Sequence, residues 1–182
     1  MGNHLFFIAR ICLPISTANL KIENSNIHIQ YVKNETKYMG IKNLNPLLKG
    51  DAMSKELKAS FWNTKYLTND FGWDIGYPSP PITEYVNQLQ DQSISILIPG
   101  CGNGYEAEYL WRSGFENVHV LDYSEVALKN FKLRVPEFPE EQIHVEDFFN
   151  HTGQYAIIFE QTFFCALDPS LRSAYALKVK EL

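Results

Sequence analysis

The sequence is poor in cysteine, has no long apolar run and carries no surplus of positive charge. Each shortage removes a class of protein. Its three cysteines, Cys12, Cys101 and Cys165, lie far apart with no CxxC pair. That pattern is neither a disulfide framework nor a zinc site, and it fits thiols in a reducing, cytoplasmic compartment. No apolar stretch reaches the roughly 18 residues of a membrane span, so no membrane partner is expected. Sixteen Lys and Arg against 21 Asp and Glu leave a net charge of −5. An acidic chain lacks the basic face that nucleic-acid phosphates require. What is there is ordinary for a globular protein: 45% apolar and 14% aromatic residues in a chain of 182.

The average hides a split. Residues 1–52 hold six Lys and Arg against three Asp and Glu, seven Asn and four aromatics. Residues 53–182 are net −8 and hold 21 aromatics, including all three Trp. The boundary falls near Met53. Within the first part, Leu5 to Ile15 is apolar, but Arg10 interrupts it and no Lys or Arg precedes it, which argues against a secretory signal. Met1-Gly2 lacks the Ser or Thr at position 6 of a myristoylation signal; Phe6 stands there. Residues 1–52 are therefore expected to be a poorly ordered extension, or upstream translated sequence ahead of a natural start at Met53.

From Met53 onward the pattern alternates. Ser54 is placed to cap a helix from about Lys55 towards Tyr66. Gly72, Gly76, Pro78, Pro80 and Pro81 mark a loop, and Ile82–Gln90 reads as a helix with Ile82, Tyr85, Val86 and Leu89 on one face. Residues 93–98 form a short apolar strand, followed by a helix from Tyr105 ended by Gly114. Val118–Leu121 is a second strand, and Ser124 caps a helix to about Arg134. Gln142–Val145 and Tyr155–Phe159 are the third and fourth strands, and a last helix follows Pro169. Strands alternating with helices predict an α/β domain with a parallel sheet, whose ligand sits beyond the carboxyl ends of the strands.

The residues at those ends are the informative ones. Gly100, Gly102 and Gly104 form a tight turn after the first strand, spaced Gly-x-Gly-x-Gly. A dinucleotide fingerprint wants the third glycine one position later, where Tyr105 stands, and this disfavours a nicotinamide-dependent oxidoreductase. Asp122 ends the second strand, 22 residues after Gly100, where a carboxylate accepts hydrogen bonds from a ribose diol. Asp147 and Phe148 follow the third strand, either as adenine contacts or as a capping Asp beside a core Phe. Glu160 and Gln161 follow the fourth, facing the ligand mouth or forming a turn. Trp62, Tyr66, Trp73 and Asp74 precede the sheet, as core or as a lid whose rings stack on a flat or cationic ligand.

The run from Ile96 to Gly104 resembles motif I of class I S-adenosylmethionine-dependent methyltransferases. Gly72-Trp73-Asp74-Ile75-Gly76-Tyr77-Pro78-Ser79-Pro80 is similar, more narrowly, to the thiopurine S-methyltransferase superfamily. Within it the resemblance is to the plant "harmless to ozone layer" thiol/halide methyltransferases and their bacterial relatives. Val120–Glu125, Glu146–Phe149 and Phe163–Pro169 extend the match over about residues 58–182.

The resemblance implies a Rossmann-like three-layer sandwich on a central, mostly parallel sheet. It implies S-adenosyl-L-methionine as cofactor and a small-molecule methyl acceptor: a thiol, a thiopurine or a halide. Trp62 and Trp73 keep the family's spacing, and Tyr66 stands where the plant proteins have Trp. Gly100 would lie against the methionine part, with Gly102 also cofactor-binding, Asp122 would bind the ribose, and Asp147 and Phe148 would hold the adenine. Gln161 replaces a Tyr, and Ala156 stands where the family often has Asp. A thiolate needs no dedicated base, so no catalytic base is named, and Cys101 and Cys165 are read as small buried residues. Only four of seven implied strands are counted, so the chain is expected to be truncated after the fourth strand and its helix, leaving an exposed apolar edge. A monomer is expected. A non-catalytic cofactor-binding or interaction module on the same fold, or an inactive fragment, remains the alternative.

Overall fold

The computed structural model describes residues 6–10, 18–23, 26–31 and 58–182. Its centre is four parallel strands: β4 (Ile96–Pro99), β5 (Val118–Asp122), β6 (Ile143–Val145) and β7 (Ile157–Gln161). They lie side by side as β7-β4-β5-β6. The chain runs outward from β4 to β6 and then returns to the other side of β4. That reversal opens a crevice at the carboxyl ends of β4 and β7.

Burial on both faces explains why these strands read as apolar runs. Ile96, Ile98, Val118, Val120, Ile157 and Phe159 point to one face. They meet α2 (Pro80–Val86), α3 (Tyr105–Arg112) and α4 (Glu125–Arg134) through Ile82, Val86, Leu110, Leu128 and Phe131. Leu97, Leu121 and Ile158 point the other way, onto Tyr175 and Val179 of α6 (Arg172–Glu181). The result is the expected three-layer sandwich.

Helix ends follow the expected chemistry. Ser124 caps α4, its hydroxyl accepting from the Ala127 N–H at 3.2 Å. After α3, Gly114 takes φ +92° and the Phe115 N–H returns to the Leu110 carbonyl. Some boundaries differ. α1 is Ala59–Leu67, and the proposed Ser54 cap and Met53 boundary lie outside the described residues. α2 stops at Val86, with residues 87–89 in turns, and β7 starts two residues later than expected.

The open edge expected beside β7 is covered. β1 (Phe6–Arg10) pairs parallel to it, from Phe6 opposite Ile157 to Arg10 opposite Gln161. β2 (Ala18–Glu23) and β3 (Asn26–Tyr31) continue antiparallel, giving a sheet of seven strands. These three strands lie within residues 1–52, where no element was expected. The physical reason is the edge itself: a bare β7 presents a row of unpaired N–H and C=O groups, and β1 satisfies them.

The turn from β4 into α3 is the tightest junction. Gly104 precedes α3 at φ +69°, and a Cβ there would lie 2.6 Å from the Phe131 ring. Left-handed strain and overpacking therefore add in Gly104→Ala, which should lose about 2–4 kcal/mol in urea denaturation. A loss below about 1 kcal/mol would show that α4 yields freely.

Candidate functional site

At the carboxyl ends of these strands lies a cleft of about 580 Å³. Seven of the nine residues expected to contact the ligand line it: Trp62, Tyr66, Trp73, Gly100, Asp122, Asp147 and Phe148. The other two, Gly102 and Gln161, line a smaller cavity of about 50 Å³ across the glycine turn. Tyr66, Trp73, Gly100 and Thr162 border both, so the two cavities share a wall.

Asp122 is 9% exposed and divides its carboxylate between two turns. One oxygen accepts the Gly102 N–H at 2.8 Å and the other the Ser124 N–H at 2.7 Å. Burial pushes its carboxyl above the ordinary aspartate value, and the backbone donors of Ser124, Gly102 and Tyr123 oppose that rise. The carboxylate keeps lone-pair capacity for donors in the cleft.

The aromatic wall comes from α1 and the loop after it. Trp62 meets Trp73 edge-on, with centroids 5.6 Å apart, and Tyr66 stacks on Phe71 at 5.2 Å. Tyr66 is buried, and a Cβ on Gly102 would stand 2.5 Å from its hydroxyl, so only glycine admits the ring there. Burial, and then the Asp122 charge, raise the Tyr66 phenol. Two polar contacts tie the loop to the glycine turn and α3. Asn103 donates to Asp74 at 2.6 Å, and the Ser79 N–H donates to Glu106 at 2.9 Å. α1 itself is docked by Asn63, whose amide oxygen accepts the Ser124 hydroxyl at 2.8 Å.

The opposite wall is the part that sequence reasoning missed. α5 (Phe163–Ala166) begins at Thr162, a β-branched residue held at φ +65°. Strain of that kind persists only where surrounding structure enforces it. Here Glu160 enforces it, accepting the N–H groups of Phe163 and Phe164 at 2.9 and 3.1 Å. Phe163, Leu167 and Leu171 then face the cleft. The run Phe163–Pro169 was legible as a motif, but no spacing rule marks apolar residues as lining. Cys101 is buried as expected, and burial raises its thiol. Cys165 is corrected: it is half-buried and lines the cleft, its thiol donating to the Thr162 carbonyl at 3.1 Å, because α5 is a single turn at the cavity's rim.

Asp147 and Phe148 fit the reading as a capping Asp beside a core Phe, and both also line the cleft. Asp147 caps its own turn, accepting the Phe149 N–H at 2.9 Å, and also lines the cleft. Phe148 is 2% exposed and packs against Phe163 and Tyr175, with its remaining edge on the cavity. The side-chain oxygen of Gln161 is buried without a hydrogen-bond partner.

The model of the family described as thiopurine S-methyltransferase matches residues 57–182. A probable thiol methyltransferase 2 of Arabidopsis thaliana is 28% identical over 135 residues, covering 71% of this chain and 59% of that protein. This chain thus spans about three fifths of the plant relative's length. A thiopurine S-methyltransferase of Teredinibacter turnerae is 28% identical, covering 69% of this chain and 67% of its own. Among solved structures, the magnesium protoporphyrin IX methyltransferase of Synechocystis PCC 6803 with bound SAM superposes with TM-score 0.54 at 14% identity. It covers 66% of this chain and 67% of that one, and shares the fold.

Glu160 generates a test that needs no ligand. Burial lifts its carboxyl from an ordinary 4.5 to about 7 despite the two N–H donors. The folded chain thus holds a proton that the unfolded chain releases. The stability from this group is fully present below the unfolded value and lost as pH rises through the folded one. Glu160→Gln keeps an oxygen for Phe163 and Phe164 and removes the titration. Denaturation of both proteins should show the variant gaining about 2 kcal/mol on wild type between about pH 5 and 8. A pH-independent difference would mean that Glu160 does not titrate there.

Proposed function

The chain belongs to the thiopurine S-methyltransferase family, and on that premise we propose that it binds S-adenosyl-L-methionine and transfers its methyl group to a small soft nucleophile. The observation that carries the reading is the Asp122 carboxylate, fixed by two backbone donors at the floor of a cleft large enough for a nucleoside. The residues fit the group. Asp122 offers its remaining lone pairs to the ribose hydroxyls, and Asp147 and Phe148 border the adenine side. Gly100 and Gly102 let the methionine part approach the backbone, where the unpaired Gln161 oxygen is an acceptor for its ammonium.

When bound, the sulfonium supplies an electrophilic methyl group. The protein's part is alignment and exclusion of water. Trp62, Tyr66 and Trp73 cover the ligand from one side, and Phe163, Leu167 and Leu171 from the other. An acceptor thiol reaches this apolar wall as the thiolate, its proton left in solvent, and a halide needs no deprotonation. No side chain is assigned as base. Dispersed thiols support a cytoplasmic location, and a cleft of small-molecule size supports a metabolite-sized acceptor; a monomer is part of the proposal. Among the described residues no helix is long and apolar enough to cross a membrane.

Calorimetric titration with S-adenosylmethionine and S-adenosylhomocysteine, beside a turnover assay with added thiol or iodide, checks both halves of the proposal. Asp122→Asn should weaken the cofactor about tenfold or more, because one hydrogen-bonded charge is lost. No binding by a folded chain would sink the cofactor assignment. Binding without methylated product would leave a cofactor-binding module and remove the transfer step.

A further inference from the structure

A second cluster of chemistry-bearing side chains sits on the outer strands, and the cleft does not account for it. His119 of β5 lies two residues from Leu121, and Leu121 pairs in register with His144 of β6. All three therefore share one face of the sheet. The two imidazoles stack with centroids 5.3 Å apart, and Nδ1 of His119 lies 3.0 Å from Nε2 of His144. Nε2 of His119 is 3.1 Å from the Asn117 amide oxygen, an acceptor, so that nitrogen carries the proton. His119 Nδ1 then accepts from His144 Nε2–H, and Nδ1 of His144 keeps its lone pair.

His151 completes the group. It is buried, its ring centroid 4.8 Å from that of His144. Its Nδ1 lies 2.7 Å from a Glu146 oxygen and its Nε2 2.8 Å from the Tyr155 hydroxyl. One ligand atom from each of His144, Glu146 and His151 lies within 4.8 Å of the other two. Burial first, and neighbouring imidazoles next, hold His119 and His144 below the ordinary histidine value.

We propose that His144, Glu146 and His151 form a binding site for a divalent transition-metal ion of the zinc class, with water as fourth ligand. Two imidazoles and one carboxylate suit such an ion, whereas magnesium and calcium want a shell of oxygens. Zinc–ligand distances of about 2.0–2.2 Å require the three atoms to close to about 3.3 Å apart. The closing piece is the short turn from Glu146 to His151. On binding, the metal takes the place of the proton between His151 Nδ1 and Glu146. That proton moves to Nε2, and the Tyr155 oxygen turns from donor to acceptor. His119, held by Asn117, fixes the orientation of His144. Glu146 also borders the cleft, so the metal site lies on the cleft's outer wall.

The test uses the full chain, stripped of metal with a chelator. It is titrated with zinc chloride by calorimetry and with cobalt(II) by visible absorption. The expected result is one zinc per chain and a tetrahedral cobalt spectrum. Affinity should fall at least about tenfold in His144→Gln, Glu146→Gln and His151→Gln, and stay unchanged in His28→Gln on β3. Circular dichroism confirms that each variant is folded. Should the buried His151 variant fail to fold, the half-buried His144 and Glu146 variants decide. Failure of the folded wild-type chain to take up zinc would overturn the proposal, as would uptake that survives both of those substitutions.

Discussion

The Asp122 carboxylate is the joint on which the cleft is assembled. It binds the turn after β4 to the turn after β5, through Gly102 on one side and Ser124 on the other. Ser124 in turn caps α4 and donates to Asn63, which carries α1 and its aromatic wall. One buried carboxylate thus reaches two strand ends and two helices. Burial of that charge is unfavourable, as its raised carboxyl shows, and directed backbone donors offset the cost. Because those donors leave part of its lone-pair capacity unused, the group is held rigidly and still faces the cavity as an acceptor. Rigidity and availability come from the same geometry.

The cleft is lined by carboxylates and by apolar rings and side chains. Asp122 and Asp147 supply the carboxylates, while Trp62, Trp73, Phe163 and Leu167 supply the apolar part. Such a site favours a ligand with hydroxyls and a diffuse positive charge over a phosphate, which the carboxylates would repel. The glycine turn agrees. Its left-handed residues at φ 54–69° bring backbone close to the ligand, but Tyr105 begins the helix without the extra glycine that a pyrophosphate wants. The turn therefore disfavours a dinucleotide.

Much of this was legible in the residue order. The four parallel strands, the Ser124 cap, the Gly114 stop and the acid ending β5 each follow from a local rule: apolar period, capping chemistry or turn geometry. So did the aromatic wall, because Trp62, Tyr66 and Trp73 cluster around a Gly/Pro loop. What escaped depends on distance across the fold. The partnership of Glu160 with the start of α5 needs a Thr in left-handed conformation, which no sequence rule would place there. The contacts of Asp74 with Asn103 and of Ser79 with Glu106 join residues 29 and 27 positions apart. The histidine cluster forms only because β5 and β6 pair with Leu121 opposite His144, a register invisible in either strand alone.

The edge of the sheet bears on the site as well. β7 carries Glu160 and Gln161 to the cleft and leads into Thr162. Its pairing with β4 covers only Ile157 and Ile158. The cleft-facing end of β7 is instead held by β1, which pairs with Phe159, Glu160 and Gln161. A parallel strand at that edge therefore does more than hide unpaired backbone. It fixes the end from which Glu160 reaches the N–H groups of Phe163 and Phe164 and sets the strained start of α5. The far wall of the cleft thus depends on a strand from the opposite end of the sequence, in the same way that the near wall depends on Asn63 and Ser124. Both walls are built by contacts between remote parts of the chain, whereas the glycine turn and Asp122 between them come from one continuous stretch.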